Sequence, residues 1–123
     1  MKMVLVYVAG RYTAPTPAGV EENCRIAREV GVQLAACGKN VFPVIPHKLG
    51  GPDENGIDEA GMYAGTLELL RRCDVVYACP GWETSKGTLA ELAEAERLGI
   101  PVIRNDLTLF QSGLVTRKLG VRR

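Results

Sequence analysis

The stretch Asp74-Val75-Val76-Tyr77-Ala78-Cys79-Pro80-Gly81-Trp82-Glu83-Thr84-Ser85-Lys86-Gly87-Thr88-Leu89-Ala90-Glu91-Leu92-Ala93-Glu94 decides the fold. Its first six residues form an apolar, β-branched run that reads as a buried strand, and the residues after Thr84 have the leucine and alanine spacing of an amphipathic helix. Turn formers and the lone Trp82 lie between them. In open α/β sheets, ligands sit beyond the carboxyl ends of parallel strands, where helix N-termini also point. This junction is therefore where chemistry is expected, and Glu91, about two turns into the helix, is the side chain to explain.

Upstream, Val4-Leu5-Val6-Tyr7-Val8-Ala9 is an unbroken apolar run ending at Gly10, the pattern of a central strand covered on both faces. Thr16-Pro17 supplies an N-cap followed by proline at the first helical position, which predicts a helix to about Cys37 with Gly38 as its stop. Val20, Ala27, Val30 and Leu34 mark its apolar stripe. Asn40-Val41-Phe42-Pro43-Val44-Ile45 reads as a second strand, placed at a sheet edge by Pro43. Pro46 to Ile57 has the composition of a loop over a site or a disordered excursion. Asp58 to Cys73 reads as helical, with Met62, Leu67, Leu69 and Leu70 as core candidates.

Downstream of the quoted stretch, Gly99 ends the helix and Pro101-Val102-Ile103 is a short fourth strand. The resulting β-α-β-α-β-α-β order predicts a Rossmann-like three-layer α/β sandwich with a mostly parallel sheet of four to five strands. Residues 1–106 are expected to form the Rossmann-like domain, and residues 107–123 a C-terminal helix or arm of that domain. The basic end of this tail, Arg117, Lys118, Arg122 and Arg123, reads as solvated surface.

A chain of 123 residues is one domain of ordinary size. Its formal charge of +1 offers no field to attract nucleic acid or an anionic membrane. The four cysteines, Cys24, Cys37, Cys73 and Cys79, contain no Cys-x-x-Cys pair and read as buried thiols in a reducing compartment. The apolar run at the N-terminus is too short for a signal peptide or membrane span. A cytoplasmic protein without a metal site is expected.

Several of these residues together carry a family resemblance: Tyr7 with Ala9-Gly10 behind it, the Asp74-Val75-Val76 strand start, and Ser85-x-Gly87-x-x-x-Glu91-Leu92 with Ala95 following. Over roughly Val4 to Val102 the chain resembles the nucleoside 2-deoxyribosyltransferase-like superfamily, which includes deoxynucleoside monophosphate N-glycosidases. Gly87-Thr88-x-x-Glu91 also looks like the Gly-Thr-x-x-Glu element of cytokinin-activating phosphoribohydrolases. The resemblance implies cleavage or transfer of the N-glycosidic bond of a (deoxy)nucleoside or its 5'-monophosphate, with Glu91 as nucleophile and Tyr7 holding it. It implies no cofactor, a nucleoside or nucleotide as partner, and a homo-oligomer. Breaking such a bond develops oxocarbenium character at the anomeric carbon, which a carboxylate can stabilise or capture.

Each assignment has a plainer alternative. Glu91 is otherwise a solvated helix residue like Glu94 and Glu96, and Tyr7 otherwise packs the core. Gly10 and Arg11 match the family's sugar or phosphate loop, Arg11 offering a bidentate phosphate contact or forming ordinary surface. Trp82 stacks a base or covers the sheet edge. His47 contacts substrate or is a hydrogen-bonded structural residue. Ser85 and Gly87 would let sugar or phosphate approach the helix N-terminus. Thr66 stands where many members of the superfamily carry an aspartate that helps protonate the leaving base or positions the nucleophile. Its substitutes would be Asp58, Glu83 or His47, and if none serves, the chain is a non-catalytic nucleotide or nucleotide-sugar binding module.

Overall fold

The computed structural model describes residues 2–104. The segment expected to form a terminal helix or arm, 107–123, lies outside the described residues. Within them, β1 is Val4–Ala9, α1 Pro17–Ala35, β2 Val41–Val44, α2 the single turn Pro52–Asn55, α3 Glu59–Arg71, β3 Val75–Ala78, α4 Lys86–Arg97 and β4 Val102–Arg104. The strands form one sheet in the order β2-β1-β3-β4, every pair parallel. This is a Rossmann-like α/β sandwich. From β1 the chain crosses to β2 on one side and later to β3 on the other, so the topological switch point lies between β1 and β3.

Alternation along the strands sorts the core into two halves. Val4, Val6 and Val8 of β1 pack with Ala27, Val30 and Leu34 of α1, whereas Tyr7 and Ala9 face Leu70 of α3 and Leu92 and Ala95 of α4. Burial on both faces is why β1 and β3 read as continuous apolar runs rather than alternating ones. Thr16 caps α1 as expected, its Oγ1 accepting from Gly19 N at 3.1 Å, and Pro43 lies on the edge strand β2.

Pro46 to Ile57 borders the cleft, as a loop over a site would, and within it Pro46 and Pro52 each open a short helical turn, the first 3₁₀. The Asn55 amide ties the two together by donating to the carbonyls of Leu49 and Gly51, both at 2.8 Å. In α3 only Leu70 of the four core candidates is fully buried. Met62 shares a stripe with Glu59, Tyr63 and Thr66 that faces a cleft rather than the sheet.

The buried Asp74, just before β3, was legible only as a strand start. Its Oδ2 accepts from Leu5 N at 2.8 Å while its own N–H donates to Leu5 O at 2.8 Å, clasping β3 to β1. Asp74→Ala strands the Leu5 N–H, and the expected loss is about 1–3 kcal/mol, read as a lower urea midpoint with an unchanged slope. Among the described residues, no helix is long and apolar enough to cross a membrane.

Candidate functional site

A cleft of about 620 Å³ opens at the carboxyl ends of β1 and β3, a size suited to a small organic ligand. Its walls come from the β1–α1 loop, the turn after β2, the α3 stripe and the N-terminus of α4. Tyr7, Gly10, Arg11, His47, Ser85, Gly87 and Glu91 all line it. Trp82 does not: its ring packs against the core beneath α4, with the Arg104 guanidinium 5.0 Å from its centroid.

The centre of the site is a pair of side chains 84 residues apart. Tyr7, with no exposed surface, donates its hydroxyl to Glu91 Oε2 at 2.6 Å. β1 presents Tyr7 on the face that meets α4, and the spacing of Leu92 and Ala95 that buries α4 turns Glu91 toward it. Burial pushes the Glu91 carboxyl up to about 7, with the Tyr7 hydrogen bond pulling the other way. Burial and then the Glu91 charge raise the Tyr7 phenol far above its ordinary value, so its proton stays in place. The Thr66 hydroxyl reaches the same phenol and acts in the opposite sense, which puts Thr66 beside this pair.

Glu94, one turn beyond Glu91, is the contrasting case. It binds Arg97 at 2.8 Å and Arg71 at 2.9 Å, and these contacts, Arg97 first, bring its carboxyl down to about 2. Helical position alone does not separate two glutamates three residues apart; the surroundings of each do.

The start of α4 forms the second part of the site. Ser85 is the N-cap, its Oγ accepting from Thr88 N at 3.3 Å and from Thr88 Oγ1 at 2.8 Å, which leaves its own hydroxyl proton for another acceptor. The N–H groups of Lys86 and Gly87 are first-turn donors that no intrahelical carbonyl can take. A Cβ on Gly87 would meet nothing within 4 Å, so the cleft runs right up to the backbone there. Arg11 reaches the same place, its Nη2 donating to Thr84 O at 3.0 Å and Thr84 Oγ1 at 2.7 Å. With Lys86 beside it, this end of the cleft is built for an anion.

His47 holds the β1–α1 loop. Its Nε2 lies 3.1 Å from the carbonyl oxygens of both Gly10 and Arg11; carbonyls only accept, so Nε2 carries the proton. Burial lowers the His47 pKa, partly offset by those two bonds. Nδ1 is then an acceptor, buried and without a hydrogen-bond partner among the described residues. A Cβ on Gly10 would sit 3.0 Å from both Cβ and Sγ of Cys79, so the Cys79 side chain would have to give way.

Sequence reasoning did not find Tyr12, Met62, Tyr63 and Lys86 as lining residues. The i, i+3, i+4, i+7 spacing of Glu59, Met62, Tyr63 and Thr66 was the available signal for the α3 stripe. The other acids considered as substitutes are placed elsewhere: Asp58 caps α3 by accepting from Gly61 N at 2.7 Å, and Glu83 is exposed and outside the lining. Among the described residues, no group of three or more His, Cys, Asp or Glu could hold a metal ion.

Fold and cleft together define a Rossmann-like α/β protein with a buried carboxylate–phenol pair at the switch point of its sheet. The chain belongs to the family described as Domain of unknown function (DUF7768), whose model matches residues 4–105. No curated protein and no solved structure matches it.

Proposed function

We propose that this protein breaks the N-glycosidic bond of (deoxy)nucleosides, preferring their 5'-monophosphates, with Glu91 as the nucleophile. The observation that carries the reading is the 2.6 Å hydrogen bond from Tyr7 to Glu91 Oε2 at the base of the cleft. Tyr7 fixes one carboxylate oxygen and leaves Oε1 to attack the anomeric carbon as positive charge develops there. The low-polarity surroundings that raise the Glu91 pKa also make its carboxylate a stronger nucleophile once ionised. Arg11, Lys86, the Ser85 hydroxyl and the first N–H groups of α4 receive the 5'-phosphate. Water resolves the glycosyl ester in a hydrolase, and a second base does so in a transferase. The resemblance to nucleoside 2-deoxyribosyltransferase-like proteins supports the same roles for Tyr7 and Glu91.

The test is free base detected by chromatography after incubation with a panel of nucleosides and their 5'-monophosphates. Base release is expected, faster from the monophosphates. Arg11→Ala is expected to lower kcat/KM about 10- to 100-fold for monophosphates, from the loss of a charged hydrogen-bond pair, and by less for nucleosides. Ligand-induced thermal stabilisation without release of any base would replace this reading with the other one that Thr66 favours, a nucleotide-binding module without catalysis.

A further inference from the structure

We infer that the base this cleft expels is one already cationic in the substrate, a pyridinium or an N7-alkylated purine, which departs as a neutral molecule without being protonated. The inference rests on the glycosidase reading and deepens it.

An ordinary purine or pyrimidine leaves well only when a proton is delivered to it, help typically worth about 10²–10⁴-fold. The described lining residues are poorly supplied with such a proton. The Tyr7 hydroxyl is engaged in donating a hydrogen bond to Glu91, and His47 Nε2–H in donating to the carbonyls of Gly10 and Arg11. Burial raises the Tyr12 phenol above its ordinary value. Thr66, placed beside the catalytic pair, is a neutral alcohol whose hydroxyl donates to Tyr63 O at 3.2 Å.

The same stripe of α3 is suited to a cation. Glu59 and Tyr63 are exposed and line the cleft one turn apart, with Met62 between them. A carboxylate, an aromatic ring and a polarizable thioether attract a positively charged ring and do little for a neutral one. The anion-binding groups, Arg11 and Lys86, are confined to the β1–α1 loop and the start of α4. A mononucleotide with a cationic base and an anionic phosphate matches both ends.

The step balances without an acid. Glu91 Oε1 forms a bond to C1', the C1'–N bond breaks, and its electron pair stays on the ring nitrogen, cancelling the positive charge. Water then adds to C1' as the bond to Glu91 breaks, and the proton of that water passes through Glu91 to solvent.

The experiment compares matched pairs in ribose and 2'-deoxyribose forms: nicotinamide mononucleotide against its 1,4-dihydro form, and N7-methylguanosine 5'-monophosphate against guanosine 5'-monophosphate. Each pair shares the phosphate and nearly the same shape, and differs chiefly in the charge of the base. Release of the cationic bases is expected to be at least about 100-fold faster, and Thr66→Asp is expected to narrow that ratio by supplying a proton donor. Equal rates within both pairs, or a ratio that Thr66→Asp leaves as wide as before, would overturn the inference while the glycosidase reading stands. No base released from any substrate would end both.

Discussion

Glu91→Gln stabilises the folded protein at pH 8 and removes base release. A carboxyl held at about 7 in the fold, against an ordinary 4.5, binds more protons folded than unfolded between those two values. Stability therefore falls as pH rises from 4.5 through 7, and above that range the fold carries the full cost of a desolvated charge, roughly 3 kcal/mol. Glutamine keeps the acceptor for Tyr7 and carries no charge. The variant and the natural protein are expected to melt together near pH 5, and the variant is expected to melt several degrees higher at pH 8. The same change removes the nucleophile, and base release is expected to drop by about 10³-fold or more. Thermal scans at the two pH values check the first part and the base-release assay the second. A variant less stable than the natural protein at pH 8 would mean that the Glu91 charge is not held at a cost. Gain of stability with loss of activity is the combination that separates a functional carboxylate from a structural one.

Tyr7→Phe moves activity along the pH axis. Only ionised Glu91 attacks, so kcat/KM in the natural protein is expected to rise about tenfold per pH unit up to about 7 and then level off. The Tyr7 hydrogen bond favours the charged carboxylate, and a bond of this kind is worth about 1.5–3 kcal/mol, or roughly one to two pH units. Without it the acid limb shifts upward by that amount, activity at pH 7 falls about 10- to 100-fold, and part of it returns by pH 9. Phenylalanine fills the same core volume, so a change in the pH profile reports the lost hydroxyl rather than a collapsed core. A limb that stays at about 7 would reduce Tyr7 to packing.

Much of the scaffold was legible because its signals are local. Proline after Thr16, the buried β-branched runs and Pro43 at an edge each act within a few residues, and the elements fall where these place them. The turns between Pro46 and Ile57 were not legible, because their order comes from the Asn55 amide bonding back to Leu49 and Gly51 across a composition that reads as loop. The role of Asp74 was equally hidden, since its partner, Leu5, is 69 residues away. Trp82 was set beside the cleft by proximity in the chain, yet its ring turns to the core and to Arg104, which belongs to another strand.

The amino-acid sequence by itself determined the alternation of strands and helices, the edge position of β2 and the strand-to-helix junction with Glu91 about two turns into its helix. Periodicity and capping depend on neighbours within a turn or two, and these a sequence states directly. Only the tertiary structure decided which glutamate of α4 is unusual. Glu91 and Glu94 look alike along the chain, but packing against β1 buries one beside Tyr7 and leaves the other between Arg71 and Arg97, driving their carboxyls to about 7 and about 2. A side chain's acidity is set by the dielectric and charges around it: Glu91 is buried against Tyr7 of β1, whereas Glu94 meets Arg97 one turn along its own helix and Arg71 of α3.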